Sequence, residues 1–236
     1  MNSSAPLPFR EPETAAPPPP LRAVIFDLDG TLLDSMGFWE ELAPAFLRRH
    51  GAPETPGIVE EIAVLTLPKA LSRIISRFEL PLTEEEALAE IDCELSVFYG
   101  ERAQFKPGAR EVVGELRKRG IPLGILSATR RQYVESALRR LGALEEFAVI
   151  RHTGEAGMSK TGPEGFRNMA RQLGSLPAET LVCEDALYAA TAAKQAGCLL
   201  CAIRDPSEDR QRELRELADR YITAWSEFPI GILFPF

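Results

Sequence analysis

The run Ala23-Val24-Ile25-Phe26-Asp27-Leu28-Asp29-Gly30-Thr31 is the most informative part of this 236-residue sequence. Its first four residues are apolar, which is typical of a short strand buried on both faces of a sheet. Two aspartates and a glycine then follow, a combination that favours a sharp turn. The run therefore predicts that Asp27 and Asp29 lie at the carboxyl end of a buried strand.

Four more short apolar runs predict further buried strands: Ile121–Leu126, Phe147–Ile150, Thr180–Cys183 and Cys198–Ile203. Helical patterns separate these runs: Ala109–Arg119, Arg130–Leu141, Pro163–Leu173 and Leu187–Ala196. A glycine follows each of these helical patterns, where helices commonly end. The alternation predicts an α/β fold, a Rossmann-like parallel sheet with helices on both faces.

One segment interrupts the alternation with helical patterns alone: Phe38–His50, Pro56–Leu65, Pro68–Phe78 and Thr83–Tyr99. We therefore expect an α-helical cap domain over residues 37–105. It would be inserted into an α/β core domain formed by residues 21–36 and 106–236. The hinges would lie near residues 34–37 and 105–108.

Both ends of the chain have an unusual composition. Residues 1–20 are rich in proline, which predicts a disordered tail. The final segment, Phe228–Phe236, is strongly apolar. We expect it to pack either on the core or on a partner subunit.

The composition disfavours several classes of function. A formal net charge of −8 argues against nucleic acid as a partner, because phosphate backbones need a basic surface. The sequence has no apolar run of the roughly 18 residues that cross a membrane and no signal-peptide pattern, so we expect a cytoplasmic protein. Cys198 and Cys201 lie in an apolar run and resemble core residues more than a redox pair. His50 and His152 do not form a zinc-binding spacing with the cysteines.

Asp27 and Asp29 have three possible chemical uses at a strand end. Their oxygens can bind a hard cation, one carboxylate can attack phosphorus, and the other can transfer a proton. A simple Asp-Gly turn is the plainer alternative. A calcium-binding loop is excluded, because its required glycine and glutamate would fall on Leu32 and Phe38.

Polar residues also end the second predicted strand. The hydroxyl of Ser127 and the backbone N–H groups near Ala128 suit a phosphate oxygen at the start of a helix. Alternatively, Ser127 or Thr129 caps that helix.

Charged residues follow the next two strands. Lys160 would neutralise a phosphoryl group, although a solvated surface lysine is an alternative. The surrounding residues 154–161 nearly match a nucleotide-binding P-loop, but Ser159 stands in place of its second glycine. Glu184 and Asp185 resemble metal ligands, with helix capping by Asp185 as the alternative. We expect all these side chains at one edge of the sheet, where ligands bind in such folds.

These residues closely resemble the haloacid dehalogenase superfamily of phosphohydrolases, over residues 21–225. The likeness is greatest to its helical-cap branch, which includes phosphoglycolate phosphatase-like and beta-phosphoglucomutase-like proteins. Residues 26–32 match the first motif of the family at every position. Ser127, Lys160 and Glu184-Asp185 fit the second, third and fourth motifs. Two positions depart from the family pattern: Thr161 replaces the first proline of the third motif, and Ala186 replaces a serine.

The resemblance implies a role for each acid. Asp27 would be the nucleophile that forms an aspartyl-phosphate, and Asp29 would be the general acid and base. Mg²⁺ would be bound by Asp27, the backbone carbonyl of Asp29 and Asp185, with Glu184 nearby.

The resemblance also implies how the substrate is held. Ser127, Lys160 and the amide near Ala128 would bind the transferred phosphoryl group. In the cap, Lys69 and Arg73 are candidates for substrate contact, with solvated helix charges as the alternative.

The resulting expectation is a magnesium-dependent phosphatase, monomeric or weakly dimeric, that hydrolyses a small phosphorylated metabolite. Two alternatives remain: a phosphosugar mutase, and a non-catalytic phosphate-binding protein. Mutases of this branch carry a histidine just after the first motif, and Trp39 occupies that position here. This difference disfavours the mutase.

Overall fold

The computed structural model describes residues 20–53, 55–63 and 65–234. Apart from Pro20, the expected proline-rich tail lies outside these residues. Within them, one sheet of six parallel strands has the order β3-β2-β1-β4-β5-β6. The strands are β1 (Ala23–Phe26), β2 (Leu123–Ser127), β3 (Val149–His152), β4 (Thr180–Glu184), β5 (Leu199–Ile203) and β6 (Arg220–Ile222). This topology confirms the predicted Rossmann-like α/β fold.

The described α-helices, in chain order, are α1 (Met36–Arg49), α2 (Ile58–Ala63), α3 (Leu67–Phe78), α4 (Glu84–Val97), α5 (Ala109–Lys118), α6 (Arg131–Arg140), α7 (Pro163–Gln172), α8 (Leu187–Ala196), α9 (Gln211–Leu217) and α10 (Ile230–Leu233). Every helical pattern identified in the sequence corresponds to a helix. The pattern predicted to end at Tyr99 instead leaves the α-helix after Val97 and continues as a π-helical turn, Phe98–Arg102.

Strand β1 lies at the centre of the sheet because its side chains are apolar on both faces. Val24 and Phe26 pack into one hydrophobic cluster, and Ala23 and Ile25 pack into a second cluster on the opposite face. All four residues are fully buried. Strand β4 pairs with all of β1, and β2 pairs with its last three residues, so the polar residues that follow these strands emerge together.

Strand β6 was not predicted from the sequence. It is a three-residue edge strand in which Arg220 is exposed and only Ile222 is buried, so it has no continuous apolar run. Strand β3 begins two residues later than predicted, because a 3₁₀ turn, Leu144–Glu146, precedes it.

Helices α1–α4 and the π-helical turn, residues 36–102, form a helical insert that follows β1. The two segments that connect it to the sheet run side by side. The backbone N–H of Asp34 donates to the carbonyl of Gln104 at 3.0 Å, and that of Lys106 donates to the carbonyl of Leu32 at 2.8 Å. The insert and the sheet also share a hydrophobic cluster, which includes Phe46 and Ile91.

The described part of the apolar C-terminal segment packs on the chain's own core. Phe228 and Phe234 are buried in the same cluster as Trp225. The indole N–H of Trp225 donates to the backbone carbonyl of Thr31 at 3.1 Å, which supports the turn after β1. In the part of the chain that is described, no helix is both long and apolar enough to span a membrane.

Candidate active site

Three carboxylates meet where β1 and β4 end. Asp27, Glu184 and Asp185 each place one oxygen within 4.8 Å of the others, and all three side chains are buried. Burial raises the pKa of Asp27 and Asp185, and it raises that of Glu184 to about 7. Repulsion from Asp27 adds to the shifts of Glu184 and Asp185. For Asp27, the added repulsion comes from Asp29. Close, buried carboxylate oxygens are a suitable ligand set for a hard divalent cation.

Lys160 is the buried cation of this cluster. Its ammonium lies 2.6 Å from Oδ1 of Asp27 and 2.8 Å from Oε2 of Glu184, and only 3% of its side chain is exposed. Burial acts to lower the lysine pKa, but the two carboxylates outweigh it and raise the pKa well above the usual value. The alternative of a solvated surface lysine is therefore wrong.

The cluster has an excess of negative charge that a metal ion would balance. Three carboxylates surround a single ammonium, so a dication would bring the group close to neutrality. Oxygen Oε2 of Glu184 is buried and pairs with Lys160, but it accepts no well-aligned hydrogen bond from the described residues. A metal ion would satisfy its remaining lone pair.

The position of Asp185 depends on the turn after β1. The hydroxyl of Thr31 donates to its Oδ1 at 2.7 Å. Gly30 has φ +79°, and a Cβ there would lie 2.9 Å from Cγ of Asp185 and still closer to Oδ2. Asp185 does not cap α8, since the cap residue is Ala186. The first backbone N–H of the helix, that of Leu187, donates instead to Oε2 of Glu208 at 2.8 Å.

The side chain of Asp29 points to a different set of partners. Its Oδ1 accepts hydrogen bonds from Ser35 at 2.7 Å and Tyr99 at 2.6 Å, and its Oδ2 accepts one from Thr129 at 2.7 Å. It lies outside the cluster of Asp27, Glu184 and Asp185. Asp29 would therefore reach a metal ion through its backbone carbonyl, as the resemblance implies, while its carboxylate is held by hydroxyls.

Ser127 ends β2 beside this group, and its side chain is buried. Its hydroxyl accepts a hydrogen bond from the backbone N–H of Thr129 at 3.0 Å, while Ala128 is exposed. Neither Ser127 nor Thr129 caps α6, whose cap residue is Arg130. The hydroxyl of Ser127 thus lies at the end of the strand next to β1, at the same edge of the sheet as the acidic cluster.

Lys69 and Arg73 lie on exposed positions of α3. Arg73 is 3.8 Å from Glu61, on the neighbouring α2. Among the described residues, neither side chain forms a hydrogen bond or ion pair with the strand-end cluster. Their contact with a substrate stays a prediction.

Several polar residues of the site were missed in the sequence. Thr31 lies two residues after Asp29, and Ser35 lies in the expected hinge, so their position in the chain was a usable signal. Tyr99 had no such signal, because it lies 70 residues from Asp29. Its hydroxyl also accepts a hydrogen bond from the indole N–H of Trp39 at 3.0 Å.

Comparisons with known proteins identify one family of hydrolases. The family model for haloacid dehalogenase-like hydrolases matches residues 21–197. Validoxylamine A 7'-phosphate phosphatase of Streptomyces hygroscopicus subsp. limoneus is 30% identical over 75% of this chain and 82% of its own. Phosphoglycolate phosphatase of Synechococcus elongatus is 30% identical over 81% and 87%. The crystal structure of CbbY from Rhodobacter sphaeroides in complex with phosphate superposes with a TM-score of 0.72, at 22% identity, over 89% and 96%.

Proposed function

The chain belongs to the haloacid dehalogenase-like hydrolase family, and we propose that it is a magnesium-dependent phosphatase of a small phosphorylated metabolite. The observation that carries the proposal is the buried group in which Asp27 pairs with Lys160 beside Glu184 and Asp185. The names of the phosphatase relatives support the same class of reaction. The proposal extends to a cytoplasmic location and a monomeric or weakly dimeric state.

Asp27 is the proposed nucleophile. Its carboxylate attacks phosphorus, the bond between phosphorus and the leaving oxygen breaks, and an aspartyl-phosphate remains on the protein. The ammonium of Lys160 favours the charged, reactive form of Asp27 despite burial. Lys160, the hydroxyl of Ser127 and the amide near Ala128 would hold the phosphoryl oxygens and stabilise their charge in the transition state.

The three buried carboxylates at the ends of β1 and β4 form the proposed magnesium site. Asp27, the backbone carbonyl of Asp29 and Asp185 would bind Mg²⁺, with Glu184 beside them. When bound, the ion offsets the repulsion between an anionic nucleophile and an anionic phosphate.

Asp29 is the proposed general acid and base. It gives a proton to the leaving oxygen in the first step, and it takes one from the water that hydrolyses the aspartyl-phosphate in the second. The partners of its carboxylate support this division of labour, because they are hydroxyl groups rather than the ammonium of Lys160.

The helical insert, expected as a cap over residues 37–105, would cover the site and exclude bulk water during the reaction. Lys69 and Arg73 are its candidates for recognising the rest of the substrate. The phosphosugar mutase is disfavoured, because Trp39 stands at the histidine position and donates to Tyr99. A non-catalytic phosphate-binding protein is disfavoured by the complete set of acids and the buried lysine.

The direct test is hydrolysis of para-nitrophenyl phosphate with and without Mg²⁺, by wild type and Asp27→Asn. We expect activity that requires Mg²⁺ and falls by at least about 10³-fold in the variant, because the amide is a poor nucleophile. Asp34→Asn is a matched control, since it makes the same change at an exposed position next to the site. Equal activity of wild type and Asp27→Asn would contradict the proposal.

A further inference from the structure

A buried tyrosine of the helical insert contacts Asp29. Tyr99 lies in the π-helical turn after α4 and is fully buried. Its hydroxyl donates to Oδ1 of Asp29 at 2.6 Å and accepts from the indole N–H of Trp39, on α1, at 3.0 Å. Single π-helical turns are rare in proteins, and those that do occur are often found at functional sites. Two successive hydrogen bonds thus connect Trp39 and Tyr99, both in the insert, to the carboxylate of Asp29 at the edge of the sheet.

We propose that Trp39 and Tyr99 are positioning residues, which orient the Asp29 carboxylate for protonation of the leaving oxygen. We call the connected residues the Trp39–Tyr99–Asp29 relay. The inference rests on the proposed phosphatase function, and it adds two residues of the insert to that reaction.

The ring of Tyr99 has little freedom to move. It stacks on Tyr133 with ring centres 5.9 Å apart and meets the edge of Phe98 at 5.1 Å. Phe98 in turn stacks on Phe38, the neighbour of Trp39, at 4.0 Å. This aromatic packing fixes the direction of the phenol, and the indole N–H of Trp39 occupies a lone pair of its oxygen, so the hydroxyl proton points to Asp29.

The three donors to Asp29 come from three parts of the chain. Ser35 precedes α1, Thr129 lies in the loop after β2, and Tyr99 belongs to the helical insert. Since Oδ1 has two donors and Oδ2 has one, we assign the transferred proton to Oδ2. Tyr99 and Ser35 then fix the plane of the carboxyl group, and the insert completes this arrangement only when it packs against the sheet.

The step that depends on the relay is the departure of the alcohol. An oxygen of Asp27 forms a bond to phosphorus while the bond from phosphorus to the leaving oxygen breaks. The electron pair of the broken bond stays on the leaving oxygen, which takes the proton from Asp29. A misdirected carboxyl group would slow this step most when the leaving oxygen is strongly basic, because a weakly basic one departs without a proton.

The test compares Tyr99→Phe with wild type on a series of para-substituted phenyl phosphates. These substrates have similar size and differ in the basicity of the leaving phenolate. The parameter to compare is kcat/KM, which includes leaving-group departure but not the later hydrolysis of the aspartyl-phosphate. For the most basic leaving group we expect a fall of about 10-fold or more. For para-nitrophenyl phosphate we expect a fall of less than about 3-fold, so the dependence on basicity becomes steeper.

Tyr133→Phe is the matched control. It also removes one phenol hydroxyl and one contact between the insert and the core, since the hydroxyl of Tyr133, on α6, donates to Asp92 on α4. It does not touch Asp29, so we expect an unchanged dependence on leaving-group basicity. Trp39→Phe should change the dependence in the same direction as Tyr99→Phe, and the double variant should be no worse than Tyr99→Phe alone, because Trp39 acts through Tyr99.

Each other outcome decides against the relay. Equal falls for all leaving groups in Tyr99→Phe would indicate a general structural effect and overturn it, as would no fall at all. A steeper dependence in Tyr133→Phe would assign the effect to docking of the insert instead. Failure of the proposed function is recognised separately: wild type would then hydrolyse none of the esters, or Asp27→Asn would retain its activity.

Discussion

The ammonium of Lys160 lies 2.6 Å from Oδ1 of Asp27, although 133 residues separate them, and their side chains are only 3% and 7% exposed. Burial alone would make Asp27 neutral, because a carboxylate is poorly solvated away from water. The adjacent ammonium opposes this effect. The charge of the proposed nucleophile therefore depends on a residue from a distant loop.

Replacement of Lys160 by methionine should impair both activity and stability. The variant keeps the length of the side chain but leaves three buried carboxylates without their cation. We expect kcat to fall by about 10²-fold or more, from the loss of charge stabilisation. We also expect the free energy of unfolding to fall by about 3 kcal/mol at neutral pH. Steady-state hydrolysis and urea denaturation measure the two effects.

Lys194→Met provides the comparison for this variant. Lys194 pairs with Asp219 at the same distance, 2.6 Å, but both side chains are about one third exposed. An exposed pair contributes about 1 kcal/mol or less, so this variant should keep its activity and nearly all its stability. Similar losses in both variants would contradict a special role for the buried pair.

Gly30→Ala should disturb the acidic cluster through Asp185. An added Cβ would overlap Oδ2 of Asp185, so that carboxylate must move. We expect weaker binding of Mg²⁺, measured as the concentration that gives half-maximal activity, and a kcat at least about 10-fold lower. Gly120→Ala is the control, since Gly120 also has a positive φ, +74°, but has open space around it. Both variants lose about 1 kcal/mol from backbone strain, and only Gly30→Ala should affect Mg²⁺.

The acidic cluster predicts an unusual pH dependence of stability. Burial raises the pKa of Glu184 from 4.5 to about 7 in the folded protein. Glu184 therefore binds its proton more tightly in the folded state than in the unfolded state, and this difference stabilises the fold. The stabilisation is complete below pH 4.5, where Glu184 is protonated in both states, and it is lost as the pH rises through 7. The loss is at most about 3 kcal/mol. Asp27 and Asp185 shift in the same direction.

This dependence can be measured by urea denaturation with a metal chelator, at about pH 5 and about pH 8. We expect the protein to be less stable at the higher pH, and we expect Glu184→Gln to reduce the difference. Addition of Mg²⁺ should restore stability at pH 8, since the ion binds the charged carboxylates of the folded state alone. A chelated protein that is more stable at pH 8 would show that these carboxylates are not buried as described.

A second buried ion pair stabilises the segment that connects the helical insert back to the core. Lys106 donates to Oδ2 of Asp205 at 2.6 Å, and Ser207 donates to Oδ1. Burial tends to raise the pKa of Asp205, but these hydrogen bonds outweigh it and lower the pKa. The contribution of Asp205 to stability is therefore present above its ordinary pKa of 3.8 and is lost as the pH falls below that value. Lys106→Met should cost about 1–3 kcal/mol at pH 7 and progressively less in acid, as urea denaturation at each pH would measure.

Most of the sheet was predictable because its strands are buried on both faces. Such strands have continuous apolar sequences, as in Ala23–Phe26 and Thr180–Glu184. The edge strand Arg220–Ile222 lacks this signal, because one residue is exposed to solvent and the strand is only three residues long. The same reason explains the unpredicted helix Gln211–Leu217, in which Leu214 is the single buried residue.

The sequence by itself determined which polar groups follow the strands, and hence that Asp27, Ser127 and Glu184 emerge at one edge of a parallel sheet. This information is local, since it depends on apolar runs and on the residues next to them. Only the tertiary structure decided how those groups are divided. Asp27 faces Lys160 and the other acids, while Asp29, two residues away, faces the hydroxyls of Ser35, Tyr99 and Thr129. Tyr99 is brought there by aromatic packing between elements far apart in the chain, and no local pattern encodes such contacts.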